Sequence, residues 1–273
     1  MTTNSLEAWT LLTALAAKTS KMQLGVLVTS NSYRHPAMLA KIAATLDMIS
    51  NGRLILGIGA GWKEVEYRAY GYPFPSLKER MDRLEEALQV ILALWTKDRA
   101  NFEGVYYQLK DAVFAPKPIQ KPHPLILIGG HGEKRTLRMV AKYGDMSNFS
   151  PWGTERLERL LTALKQHCRD FNRDYDEITK TFLGYCLITE NEEEILSFNK
   201  KRAQEQGISV EQYLEKQSSL PGAWAGSSEE VAAQYNHLFK MGFTHFQILF
   251  PFGKEIEMSK QFAELVIRGM SKE

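Results

Sequence analysis

Apolar residues along this chain keep two rhythms. Short continuous runs have the length of buried strands, and longer stretches place apolar residues three and four apart, the period of amphipathic helices. Leu6 to Lys18 reads as a helix with Leu6, Trp9, Leu12 (or Thr13) and Ala16 on one face. Met22 to Thr29 is the first strand, followed by a polar loop from Ser30 to His35. Pro36 opens a helix at a position where its missing N–H loses no bond. Leu39, Ile42, Leu46 and Ile49 line that helix, and Asn51-Gly52 closes it. Leu54 to Ile58 is a second buried strand running into Gly59-Ala60-Gly61-Trp62, and residues 64–72 read as polar and irregular. Ser76 and Glu79 form a capping box for a helix carrying Leu77, Met81, Leu84, Leu88, Ile91 and Trp95.

The rhythm breaks over residues 98–124. A hairpin arm there is followed by Pro116, Pro118, Pro122 and Pro124, which force an extended path and mark a surface insertion. Further strands are expected at Leu125 to Ile128, Met146 to Phe149, Phe182 to Ile188 and Phe246 to Phe250. Helices are expected from Thr154, from Glu192 to Gln206, from the Ser227/Glu230 capping box to Met241, and from Lys254 to Arg268. Residues 207–225 are the least regular and read as a mobile lid. Strands alternating with helices predict an α/β fold with a parallel sheet, and their even spacing favours a TIM (β/α)8 barrel in a single domain over an open sheet.

Leu125 to Val140 is the stretch with the clearest chemistry. A short apolar run breaks at Gly129, Gly130 and Gly132, and helical spacing resumes after Glu133. Strand, glycine turn and helix N-terminus make an anion site, since backbone N–H groups are approachable and the helix dipole adds positive charge. Lys134 and Arg135 would reinforce it; a plain tight turn is the alternative. In a barrel the working end is the C-terminal rim. That rim would gather Thr29 to Asn31, Ala60 to Trp62, Gly129 to Gly132, Asn148 to Ser150 and Phe250 to Phe252. The resulting mouth is apolar and glycine-rich, suited to a flat ligand that brings its own chemistry.

Composition narrows the partners. Lys+Arg 34 against Asp+Glu 32, interspersed, gives a net charge of +2 and no reason to expect nucleic acid or an anionic membrane. The two cysteines, Cys168 and Cys186, have no metal-type spacing, no metal cluster is expected, and isolated thiols fit a cytoplasmic protein.

The segments LGVLVTSNSYRHPAMLAKIAATLDMISNGRLILGIGAGW, AYGYPFPSLKERMDRLEEAL and HPLILIGGHGEKRTLRMVAKYGD resemble the luciferase-like monooxygenase superfamily, in its F420-dependent oxidoreductase branch. The resemblance implies a barrel that binds coenzyme F420 (alternatively FMN), with the tail phosphate at Gly129, Gly130, His131, Gly132 and Glu133. It implies a bulge at Leu27, Val28 and Thr29, often with a non-prolyl cis peptide, behind the ring, and contact of Ala60 and Gly61 with the ring edge. His35, Trp62 and Trp152 would line the substrate pocket. His35 equally reads as a helix-entry residue, and both tryptophans as plain packing. Sugar-phosphate dehydrogenases of the superfamily carry an acidic residue where Trp62 stands, so that activity is not implied.

Family members begin with a strand, a helix and a second strand ending in a polar pair, often Asp-His. This chain starts at the following helix, which makes it an N-terminally truncated relative lacking the first strand(s) of the barrel, or one with a misassigned start. Unpaired edges at Met22 to Thr29 and Phe246 to Phe250 would then favour a homo-oligomer. The expected activity is hydride transfer between reduced F420 and a small-molecule substrate. An FMN monooxygenase, a redox-free barrel acting on phosphorylated metabolites, and a non-catalytic relative are the alternatives.

Overall fold

In the computed structural model, which describes residues 5–151, 153–218 and 223–267, every side chain position of one strand is buried, and its neighbours are arranged around it. The chain reaches that strand through helix α1 (Ala8–Lys18), short strands β1 (Leu24–Gly25) and β2 (Thr29–Ser30), a 3-10 turn (Asn31–Tyr33) and helix α2 (Pro36–Ile49). Asn51 and Gly52 both take positive φ, as the turn after α2 requires. The central strand is β3 (Leu54–Gly59); β1 and β2 pair parallel with it, Leu24 beside Leu54 and Ser30 beside Gly59.

The strand expected from Met22 to Thr29 is therefore two pieces. Between them the chain passes close over β3: a Cβ on Gly57 would run into the Val26 carbonyl, which leaves no room for a straight ladder. The Leu27–Val28 peptide in this interruption is cis.

The first part of residues 64–72 is regular, and only residues 70–72 are turn and coil. That first part forms helix α3 (Glu64–Ala69), anchored by Tyr67, which is 1% exposed, and supported on the outside by a Glu64–Arg68 pair at i,i+4. Helix α4 (Leu77–Thr96) buries Met81, Leu84, Leu88, Ile91 and Trp95 as its spacing predicts, but Leu77, in its first turn, is exposed. Half of the expected capping box forms: Ser76 Oγ accepts from Glu79 N, while the Glu79 carboxylate turns to Arg83.

Residues 98–124 carry an antiparallel hairpin, β4 (Arg99–Glu103) and β5 (Gln108–Val113). Two carboxylates tie this segment down. Glu86 of α4 accepts from the backbone N–H groups of Val105, Tyr106 and Tyr107, and the fully buried Asp47 of α2 accepts from Ile119 N, Gln120 N and Gln120 Nε2. Strand β6 (Leu125–Gly129) then pairs parallel with β3, Ile58 beside Ile128, and helix α5 (Thr136–Tyr143) follows. These elements belong to one compact unit, Met1–Ser147 with Asp170–Arg173.

That unit ends inside strand β7 (Met146–Phe149). The second unit, Asn148–Arg169 with Asp174–Glu273, contains helix α6 (Thr154–Asp170), β8 (Thr179–Ile188) and α7 (Glu192–Gln206). It continues with α8 (Val210–Ser218), β9 (Ala223–Gly226), α9 (Ser228–Lys240), β10 (Phe243–Leu249) and α10 (Glu255–Gln261), which runs into a π-helical turn (Phe262–Ile267). Strands β9 and β10 pair parallel with β8. The Ser227/Glu230 capping box is complete. Residues 207–225 are more regular than the sequence promised, since they contain α8, whose Tyr213 is buried; residues 219–222 lie outside the described ones. Phe149, Phe182 and Phe243 meet edge to face in this unit's core.

No helix among the described residues is long and apolar enough to cross a membrane.

Candidate functional site

The candidate site is built at the C-terminal ends of β2, β3 and β6, which lie side by side in parallel register. Three of the expected segments meet there: residues 27–30, residues 59–61 and residues 129–132.

Val28 is the side chain that joins them. A Cβ on Gly59 would sit 3.0 Å from Val28 Cγ2, and one on Gly129 2.8 Å from the same atom. Glycine at both strand ends is therefore what lets Val28 turn inward, against the core residues Ile55, Leu127 and Met146. Leu27, beside it, is 41% exposed. The Thr29 hydroxyl accepts from the buried Trp9 indole at 2.9 Å, so this side chain fastens α1 to β2.

Ser30 is the polar group that this strand end contributes on the site side. Its Oγ lies 2.5 Å from the Tyr67 hydroxyl. Gly61, with φ +82°, passes over this pair, and a Cβ there would lie 2.5 Å from Ser30 Oγ and run into the Tyr67 hydroxyl. Arg80 of α4, 8% exposed, donates from Nη1 to the Gly61 carbonyl and from Nε to the Pro75 carbonyl at 3.1 Å. Its guanidinium lies 4.1 Å from the centroid of the Phe74 ring. Tyr33 packs on Tyr67 and Tyr72 with centroids 4.9 and 5.0 Å apart. Burial, and the Glu66 carboxylate that the Tyr33 hydroxyl donates to, push the phenol up to about 12, so it stays a neutral donor. Sequence reasoning missed Tyr67 and Arg80. Tyr67 falls in a stretch that reads as loop, and Arg80 has the spacing of one more charge on an exposed helix face.

The glycine turn follows β6 as expected. Gly130 has φ +122°, a conformation closed to side chains, and no side chain caps α5 from the Arg135 N-cap position. His131 and Glu133 are half-buried and Gly132 is exposed. Arg135 does not reinforce the turn: its guanidinium is committed to Asp82 at 2.6 Å and to the Lys78 carbonyl at 3.2 Å. Glycine backbone, positive φ and an uncapped helix start form a cradle that a β-carbon would fill, which fits the phosphate-bearing tail of a flavin or deazaflavin.

His35 caps α2, its Nδ1 accepting from Ala37 N at 3.3 Å, with its ring edge-on to Tyr107. Trp62 is 81% exposed, next to Gly61, and Trp152 lies outside the described residues. Asn148 belongs to the second unit, where it donates to Thr181 Oγ1 and Gln247 Oε1. That unit also holds an open cavity of about 570 Å³ lined by Phe239, Phe246, Ile248, Phe250 and Phe262, with Thr244 and Ser259 as its polar groups. Such a lining offers a phosphate two hydroxyls and no cationic side chain.

Residues 1–198 match the family model described as luciferase-like monooxygenase. An F420-dependent glucose-6-phosphate dehydrogenase of Amycolatopsis mediterranei is 33% identical over 181 residues, 64% of this chain and 52% of that protein. An FMNH2-dependent dimethylsulfone monooxygenase of Pseudomonas putida is 28% identical over 250 residues, 87% of this chain and 66% of that protein. The chain thus spans between half and two thirds of the length of these curated relatives. Among solved structures, an F420-dependent secondary alcohol dehydrogenase in complex with an F420-acetone adduct superposes with a TM-score of 0.81 at 21% identity, covering 96% of this chain and 84% of that one.

Proposed function

The chain belongs to the luciferase-like monooxygenase family, and from that premise we propose an oxidoreductase that passes a hydride between reduced coenzyme F420 and a small organic substrate. One observation carries this reading. Residues 27–30, 59–61 and 129–132 meet at neighbouring strand ends, where glycines 59, 61 and 129 let the chain close over Val28, Ser30 and Tyr67 and glycines 130 and 132 leave the following turn with backbone alone.

The deazaflavin, when bound, supplies the two-electron chemistry. The protein's part is to hold and shield. Backbone N–H groups of residues 130–132 and the start of α5 take the tail phosphate, with His131 as a further donor. Leu27 and Val28 back the ring face, and Ala60 and Gly61 bound its edge. The resemblance places an acidic residue of sugar-phosphate dehydrogenases at the position of Trp62, and its replacement by an exposed indole favours a substrate other than a sugar phosphate. FMN is the alternative cofactor, favoured by the FMNH2-dependent relative.

Side-by-side calorimetry with F420 and FMN tests the choice, and tighter FMN binding reverses it. Gly132 lacks the positive φ of Gly130, and a Cβ there would stand 3.1 Å from Thr136 Oγ1, a tight contact that a small shift of the Thr136 side chain relieves. Gly132→Val should weaken either cofactor by about tenfold or more, ~1.4 kcal/mol. An unchanged dissociation constant removes the phosphate from this turn.

A further inference from the structure

Arg80 is a buried cation with which no carboxylate pairs among the described residues. Among the described residues its guanidinium meets the Gly61 and Pro75 carbonyls and the Phe74 ring. The acids beside it on α4 and those of α3 pair with other cations: Glu79 with Arg83, Asp82 with Lys78 and Arg135, Glu64 with Arg68, and Glu66 with Lys63. A guanidinium kept this far from water without a counter-ion is costly unless its charge is used.

The peptide it holds points to the use. In a trans peptide the C=O and the following N–H point in opposite directions. With the Gly61 carbonyl turned to Arg80 in α4, the Trp62 N–H turns the other way, and no described residue accepts from it. Gly61 is locked from beneath by the Ser30–Tyr67 hydroxyl pair. A carbonyl that accepts from a cation also polarises its own peptide, which strengthens the N–H as a donor.

We propose that Arg80 is a positioning residue: it fixes the Gly61–Trp62 peptide so that the Trp62 N–H is presented, with positive charge behind it, to an anionic or electron-rich edge of the ligand ring. The assignment rests on the reading that a reduced flavin or deazaflavin ring lies against Ala60 and Gly61. Its consequence is specific: the site favours the deprotonated ring over the protonated one.

Arg80→Met removes both the donor and the charge, Arg80→Gln keeps a donor without charge, and Arg80→Lys keeps the charge. All three are compared with the unaltered chain by thermal unfolding, by calorimetry with F420 and FMN, and by absorbance titration of the bound reduced ring. The expected result is a rise of about one unit in the ring's ionisation pKa in Arg80→Met and Arg80→Gln, a tenfold loss of the anionic form at fixed pH. Arg80→Lys should recover most of it. An unchanged ring pKa in a folded Arg80→Gln overturns the electrostatic role. A further readout needs no ligand. The Trp62 amide proton should shift upfield in all three variants and most in Arg80→Met; an unmoved Trp62 amide in a folded variant overturns the positioning role. Should the unaltered chain bind neither cofactor, the assignment to a ring fails with the proposed function, and a shifted Trp62 amide then identifies which of the two was wrong.

Discussion

Val28 and Gly129 occupy one space: a Cβ on Gly129 would stand 2.8 Å from Val28 Cγ2 and 2.9 Å from Cγ1. The strand end that opens the glycine turn and the interrupted strand beside it are thus packed as a pair. Gly129→Ala should cost ~1–3 kcal/mol through overpacking. Val28→Ala in the same chain should recover much of it, with a coupling of ~0.5–3 kcal/mol. Urea unfolding of the two single variants and the double variant measures the coupling, and additive effects contradict the shared space.

Thr29 ties α1 to β2 through its hydroxyl. Thr29→Val leaves the Trp9 indole N–H buried without its acceptor, so stability should fall by ~1–3 kcal/mol. Affinity for cofactor in the folded protein should stay within about twofold. Denaturation followed by tryptophan emission, with calorimetry alongside, separates the two; a lost affinity at unchanged stability would return Thr29 to the binding site.

Asp47 holds the proline-rich segment. It is fully buried and accepts from Ile119 N and Gln120 N at 2.8 and 3.1 Å. Asp47→Ala strands both donors, at ~1.5–3 kcal/mol for bonds to a charged group. Hydrogen exchange should quicken at residues 119 and 120 well before it does in β3.

His245 sets an acid limit on stability. Burial lowers its pKa from the ordinary value of 6.5. Between that lowered value and 6.5 the unfolded chain takes up a proton that the folded chain refuses, so stability falls as the pH drops through 6.5. His245→Gln should flatten this part of the curve, measured as denaturation midpoints from about pH 7.5 to about pH 5. An equal slope in both proteins assigns the acid loss to other groups.

Much of this molecule can be derived from local pattern. The spacing of Met81, Leu84, Leu88 and Ile91 has one explanation, a helix with a single buried face. The apolar run before Gly129 and the helical spacing after Glu133 define a strand, a turn and a helix start, whatever surrounds them. Those are short-range constraints, and the sequence determines them alone. Tertiary structure decided the rest. The strand from Met22 to Thr29 broke because its neighbour's glycines allow a close approach that its own residues cannot announce. Residues 64–69 became a helix because Tyr67 found a hydroxyl 37 positions earlier. Arg135 left the anion turn for Asp82, and Arg80 left the solvent for the Gly61 carbonyl. A charged side chain long enough to reach several partners is directed by whichever carboxylate or carbonyl the fold brings near, and that distance is set between elements, not along the chain.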